Sequence, residues 1–121
     1  QKADVINNKN DVVALLNVTY LNPTLKEWDN NKLHSFIVGV YIVDGNEDDF
    51  ILTINNSTKF KQRKVTKDMN ILGEIPLENK WATYYLVQIS KYDTNQADEN
   101  ELTLKLLHKN YISSKITFFA D

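Results

Sequence analysis

Short stretches rich in β-branched, aliphatic and aromatic residues recur along this chain every roughly 8–15 residues, separated by clusters of Asn, Asp, Gly and Pro. This rhythm constrains the fold more than any other feature. Residues 11–20 (DVVALLNVTY) place Val12, Ala14, Leu16 and Val18 on one face. Residues 34–43 (HSFIVGVYIV) are apolar on both faces, as a central strand requires. Residues 49–56 and 58–66 read as two further strands joined by a turn at Asn55-Asn56-Ser57. Residues 70–78 are extended, and Pro76 confines their second half to a sheet edge. Residues 81–92 form the most aromatic strand. In 102–109 Leu102, Leu104 and Leu106 alternate inward, and 113–120 close the chain. Asn22 before Pro23 resembles an N-cap followed by proline at the first helical position, which predicts one short helical turn in the first loop. The chain is therefore expected to be all-β, with about eight antiparallel strands in a two-sheet β-sandwich or a barrel.

At 121 residues one domain with a sizeable core is expected. Residues 1–11 are polar and read as a flexible arm, and 12–121 as the single β domain. A net charge of −2 supplies no field that favours nucleic acid or an anionic membrane. The absence of cysteine excludes disulfides, thiolate metal sites and cysteine nucleophiles. No apolar run approaches the roughly 18–20 residues of a spanning helix. The first residue is Gln and not Met, which leaves a removed N-terminal segment open.

The acidic stretch Asp44-Gly45-Asn46-Glu47-Asp48-Asp49 is the first candidate for chemistry. As a calcium loop starting at Asp44 it carries Asp49 where glycine is needed and Asn55 where a bidentate glutamate is needed. A two-residue hairpin at Asp44-Gly45 would set Asp48 and Asp49 opposite Tyr41 and Val40, burying carboxylates beside apolar partners. A longer solvated connection, with Phe50 as the first residue to return to the core, is the expectation. His34 and His108 lie at strand ends outside any local catalytic or metal motif. No catalytic, cofactor or metal site is expected. The basic run 59–67 reads either as a positive strand that docks an acidic partner or phosphates, or as an edge strand guarded by Lys59, Lys61 and Arg63. Trp81, Tyr84 and Tyr85 form either a sugar-binding face or core. Asn17-Val18-Thr19 and Asn56-Ser57-Thr58 match glycosylation sequons.

The order of elements resembles the TssJ-type lipoproteins of bacterial type VI secretion systems. The resemblance rests on a first strand ending in Asn-Pro (VTYLNP, 18–23), a hydrophobic strand of VxVYxL type (IVGVYIV, 37–43) with Phe50 soon after, and an aromatic–aliphatic strand (TYYLVQISKY, 83–92) followed by a final pair. It spans roughly residues 12–119. The chain departs from the family where relatives often carry a helical insert, because DFILTINNSTKFKQRKV (49–65) reads as β. The resemblance implies a transthyretin-like sandwich on the periplasmic side of the bacterial outer membrane. It would be held there by a lipid on a cysteine preceding Gln1, and would bind an inner-membrane TssM-like component as a non-catalytic scaffold. It also implies partner docking by the first loop, with Asn22, Pro23, Leu25, Trp28 and Asn30 as the site. Leu25 and Trp28 either anchor that partner or fold back to cap the sandwich. The alternative function is a β-sandwich binding module for a carbohydrate or peptide.

Overall fold

Two antiparallel sheets face each other in the computed structural model, which describes residues 2–8, 11–24, 33–65, 82–90, 101–111 and 113–119. The elements are β1 (Lys2–Asn8), β2 (Asp11–Tyr20), α1 (Leu21–Thr24), β3 (Leu33–Ile42), β4 (Phe50–Ile54), β5 (Lys61–Lys64), β6 (Thr83–Ser90), β7 (Glu101–His108) and β8 (Ser114–Phe119). One sheet has the order β1-β2-β3-β6-β5 and the other β4-β7-β8. The expected all-β sandwich of eight strands is the observed architecture. Residues 70–78 lie outside the described residues.

The strand that sequence reading passed over is β1. Residues 2–8 are not a free arm: Val5 pairs with Leu15, Ile6 pairs with Ala14, and the Ile6 side chain is fully buried. The polar residues around it conceal a short period-two pattern, and their polar groups are used elsewhere. Between Ile6 and Asn7 the register shifts, so that Asn7 faces Val12 and Val13 has no counterpart on β1. This bulge inserts one residue and reverses which parity faces inward. Val12, expected on the core face, is therefore 39% exposed, and Val13 is 2% exposed. The Val13 carbonyl accepts from the Val43 N–H at 2.7 Å and from the Asp44 N–H at 3.2 Å, which ties the end of β3 to the bulge.

The core is built from alternate residues of both sheets. Leu16, Val18, Tyr20, Phe36, Val38, Val87 and Ile89 come from the larger sheet, and Ile54, Leu102, Leu104, Leu106, Ile116 and Phe118 from the smaller. Tyr20, Phe36 and Phe118 form a ring cluster with centroids 5.0–6.0 Å apart, the separation at which offset and tilted aromatic pairs attract. Ile37 and Leu86 pair across β3 and β6 with their side chains on the opposite face of the sheet, yet both are buried as well.

Residues 49–66 do hold two strands and a turn, but the strands do not pair with each other. Asn55 and Asn56 have φ of 49° and 64°, the left-handed turn conformation that asparagine tolerates. Pairing across the turn stops at a single Ile54–Ser57 bridge. β4 then belongs to the smaller sheet and β5 to the larger. Asn55 explains the separation. Its N–H donates to the Thr103 carbonyl, its Oδ1 accepts from the Thr103 N–H at 2.7 Å, and its Nδ2 donates to the Glu101 carbonyl at 3.0 Å. The turn is thereby fastened to β7.

Asn22 repeats this device on the other sheet. It does not cap α1 as expected. It lies within the turn, where its Oδ1 accepts from the Ser35 N–H at 2.9 Å and its Nδ2 donates to the Leu33 carbonyl at 2.8 Å. In both places one side-chain amide bridges a carbonyl and the N–H two residues later, the pattern a parallel neighbouring strand would supply.

The two sheets meet along β1 and β8. Lys2 Nζ donates to the Thr117 carbonyl, and the Lys115 N–H donates to Asp4 Oδ2 at 2.8 Å. Side chains of β1 thus engage two backbone groups on the edge of β8, and among the described residues no backbone ladder joins the two sheets, the arrangement of a sandwich.

Candidate functional site

The expected docking loop begins and ends at one fixed point. Asn22 is 8% exposed, and its amide holds both Leu33 and Ser35 at the start of β3. With one donor and one acceptor bond to backbone, the Asn22 amide clamps the base of the loop. Pro23 lies within α1. Leu25, Trp28 and Asn30 lie outside the described residues.

The acidic stretch forms an exposed connection that carries the chain from one sheet to the other. Gly45 has φ of 107°, a left-handed value that suits glycine. Residues Glu47–Asp49 form one 3-10 turn, closed by the Asp49 N–H on the Asn46 carbonyl at 3.0 Å and the Asn46 N–H on Asp49 Oδ2 at 3.2 Å. Phe50 is the first residue to pack on the core, as expected. Among the described residues no group of three His, Asp or Glu side chains is placed to hold a metal ion. Glu47 accepts a hydrogen bond from the Tyr85 hydroxyl. Burial, then the hydrogen bond and the charge of Glu47, push the Tyr85 phenol up to about 12. Each disfavours the phenolate, and the acidic turn is thereby tied to β6.

Both histidines serve packing. His34 is buried at the start of β3, with Nδ1 2.7 Å from the Tyr20 hydroxyl. It stands about 25–30 Å along the strand from the acidic turn at the far end of β3. His108 stacks on Tyr111 at 4.3 Å, meets the edge of Phe50 at 4.9 Å, and accepts from the Asn110 N–H through Nδ1 at 3.0 Å.

The aromatic strand does not present a single shelf. Tyr84 and Tyr85 are neighbours on β6 and face opposite sides of the sheet, with Tyr85 toward the core and Tyr84 on the outer face. Trp81 lies outside the described residues. On the outer face Tyr84 lies over Gly39, directly across the strand pair. A Cβ at Gly39 would stand 2.5 Å from Tyr84 Cε1, so only glycine leaves the ring room in this position. Around this contact is a groove of about 340 Å³, lined chiefly by Val5, Leu15, Asn17, Gly39, Tyr41 and Tyr84. Sequence reading missed it. The available signals were the apolar residues on both parities of residues 11–20 and the lone glycine within residues 34–43.

Of the two sequons, Asn56 is exposed at its turn, whereas Asn17 is half-buried in mid-strand at the groove. The basic run places Lys61, Gln62, Arg63 and Lys64 in β5, the last strand of the larger sheet, with all four side chains exposed. Phe60 packs against the core. Compared with protein-family models, with curated proteins and with solved structures, the chain has no match in any of the three.

Proposed function

We propose that this chain is a non-catalytic interaction domain, the periplasmic part of a TssJ-type outer-membrane lipoprotein. In this reading it anchors a type VI secretion membrane complex to the outer membrane by binding an inner-membrane TssM-like component. The observation that supports it is the Asn22 clamp, which holds both ends of the 22–33 loop against β3. A loop fixed at its base loses less conformational entropy when a partner orders its tip. Leu25, Trp28 and Asn30 are the contact residues in this reading, and Trp28 is the anchor because tryptophan buries a large area with few rotatable bonds. The test is co-purification of the inner-membrane component with the full-length protein in its native host, together with membrane fractionation. Trp28→Ala should abolish co-purification while leaving the thermal unfolding curve unchanged. A protein found outside the outer membrane, or a Trp28→Ala variant that binds normally, would refute the proposal.

A second reading is favoured by the groove on the outer face of the larger sheet. Its Tyr41 and Tyr84 rings, Gly39 floor and Asn17 amide suit a module that binds a carbohydrate or a short peptide. Saturable binding of an oligosaccharide or peptide that perturbs the amides of Asn17, Gly39 and Tyr84, in a protein that recruits no membrane partner, would select it.

A further inference from the structure

The two ends of the larger sheet are finished differently. At β1 the side chains of Lys2 and Asp4 reach across to the Thr117 carbonyl and the Lys115 N–H of β8 in the smaller sheet. At β5 no strand lies on the outer side among the described residues, and the edge carries three exposed cationic side chains, Lys61, Arg63 and Lys64. The pairing of β5 with β6 shows which backbone groups point away from β6. Lys61, Gln62, Arg63 and Lys64 face Gln88, Val87, Leu86 and Tyr85, and the Val65 N–H bonds the Tyr84 carbonyl at 2.8 Å. Hydrogen-bonded and outward-pointing residues alternate along an antiparallel strand. With Val65 turned toward β6, Arg63 and Lys61 point the same way, and the N–H and C=O groups of Gln62 and Lys64 point outward. Side-chain parity adds a second pattern: Lys61 and Arg63 stand on the outer face of the sheet, and Lys64 on the other.

We infer that β5 is a docking edge for an extended acidic segment of a partner protein, which adds as a sixth strand. Its backbone pairs with the outward N–H and C=O groups of Gln62 and Lys64. Its carboxylates at alternate positions fall opposite Lys61 and Arg63 on one face of the sheet. Strand addition to an open edge obtains affinity from main-chain hydrogen bonds and specificity from alternate side chains. The four-residue length and the clustered positive charge disfavour an apolar strand or a second copy of β5, and those are the intruders an edge must exclude. Opposite charges directly across a strand pair attract, so the same lysines and arginine that repel a copy of this edge recruit an acidic strand. This surface shares no residue with the groove, and it stands independently of the function proposed above.

The test uses the full chain labelled with ¹⁵N and a synthetic seven-residue peptide alternating Glu and Thr, with a matched Lys–Thr peptide as control. Binding of the Glu–Thr peptide should shift the backbone amides of residues 61–65 and slow solvent exchange at Gln62 and Lys64, and it should weaken as salt rises. K61E and R63E should each weaken binding about tenfold, because each exchanges an attractive cross-strand pair for a repulsive one. Circular dichroism should be unchanged, since both side chains are exposed. Several results would overturn the inference: no binding at millimolar peptide, equal binding of the Lys–Thr peptide, or shifts centred away from β5. So would equal binding of inorganic polyphosphate without slowed exchange at Gln62 and Lys64, which would make the edge a phosphate surface.

Discussion

Side chains alternate between wet and dry along β7 of the smaller sheet and fail to do so along β3 of the larger. Along β7, Leu102, Leu104 and Leu106 are buried, while Glu101, Thr103 and Lys105 between them are partly exposed. Along β3, every residue from His34 to Gly39 is buried. The first pattern belongs to a sheet with one face on the core and one in water, the second to a strand with both faces occupied. The larger sheet is itself uneven. Its outer face is buried at Ser35, Ile37 and Leu86, and opens into the groove at Gly39, Tyr41 and Tyr84. The side of a sandwich with the more apolar sequence is thus the side with a second surface to use.

The strongest way to break this contrast is to place a carboxylate on each outer face. Ile37→Asp should cost about 4 kcal/mol or more, because a buried unpaired charge is among the most damaging changes. Thr103→Asp, on the outer face of the smaller sheet, should cost roughly 1 kcal/mol, mostly through its lost hydroxyl contact with Thr117. Denaturant midpoints measure both, and equal losses would show that the two outer faces are alike.

A second experiment sharpens the comparison through the two matching amides. Asn22→Ala and Asn55→Ala each leave a backbone N–H and a carbonyl without their partner, at a cost of about 1–3 kcal/mol. The Asn22 loss should be the larger, because Asn22 is buried and Asn55 is partly exposed. Hydrogen exchange should localise each defect, at Ser35 in one variant and Thr103 in the other. Global opening in both would show that the amides do not act on single strand ends.

The smallest effect concerns the tie between the acidic turn and β6. The Tyr85 phenol is pushed from its ordinary value of 10.0 to about 12, first by burial and then by Glu47. The folded state therefore holds this proton more tightly than the unfolded chain. Its contribution to stability is intact below about pH 10 and is lost as pH rises toward 12. Tyr85→Phe should unfold with a shallower decline across that interval than the wild-type protein. Parallel curves for the two proteins would remove Tyr85 from the account.

Much of this organisation is legible in the residues. The alternation in β7 and the continuous apolar run in β3 identify a one-sided and a two-sided strand. The Asn-Asn pair marks a turn that needs positive φ, and the acidic stretch reads as a solvated connection. β1 was hidden because Lys2 and Asp4 look like surface residues, and only β8 gives them backbone partners. Val12 was misassigned because a bulge leaves no compositional mark. The aromatic shelf failed because Tyr84 and Tyr85 are adjacent, and adjacent residues on a strand never share a face. Of the first-loop residues, Asn22 looked like a cap because a cap and a strand clamp use the same amide oxygen.

By itself the sequence determined most of the extended segments, the turns at residues 44–49 and 55–57, and that an antiparallel all-β fold results. These follow from local terms: side-chain period, turn geometry and the apolar content of each segment. Only the tertiary structure decided that residues 2–8 join β2, that β4 and β5 part into different sheets, and that among the described residues the larger sheet ends at the basic strand β5. The physical reason is that backbone ladders are chemically alike for every pair of strands. Which strands pair, and which edge stays bare, is set by burial and by single side-chain hydrogen bonds between residues up to 115 positions apart, and no local pattern encodes those.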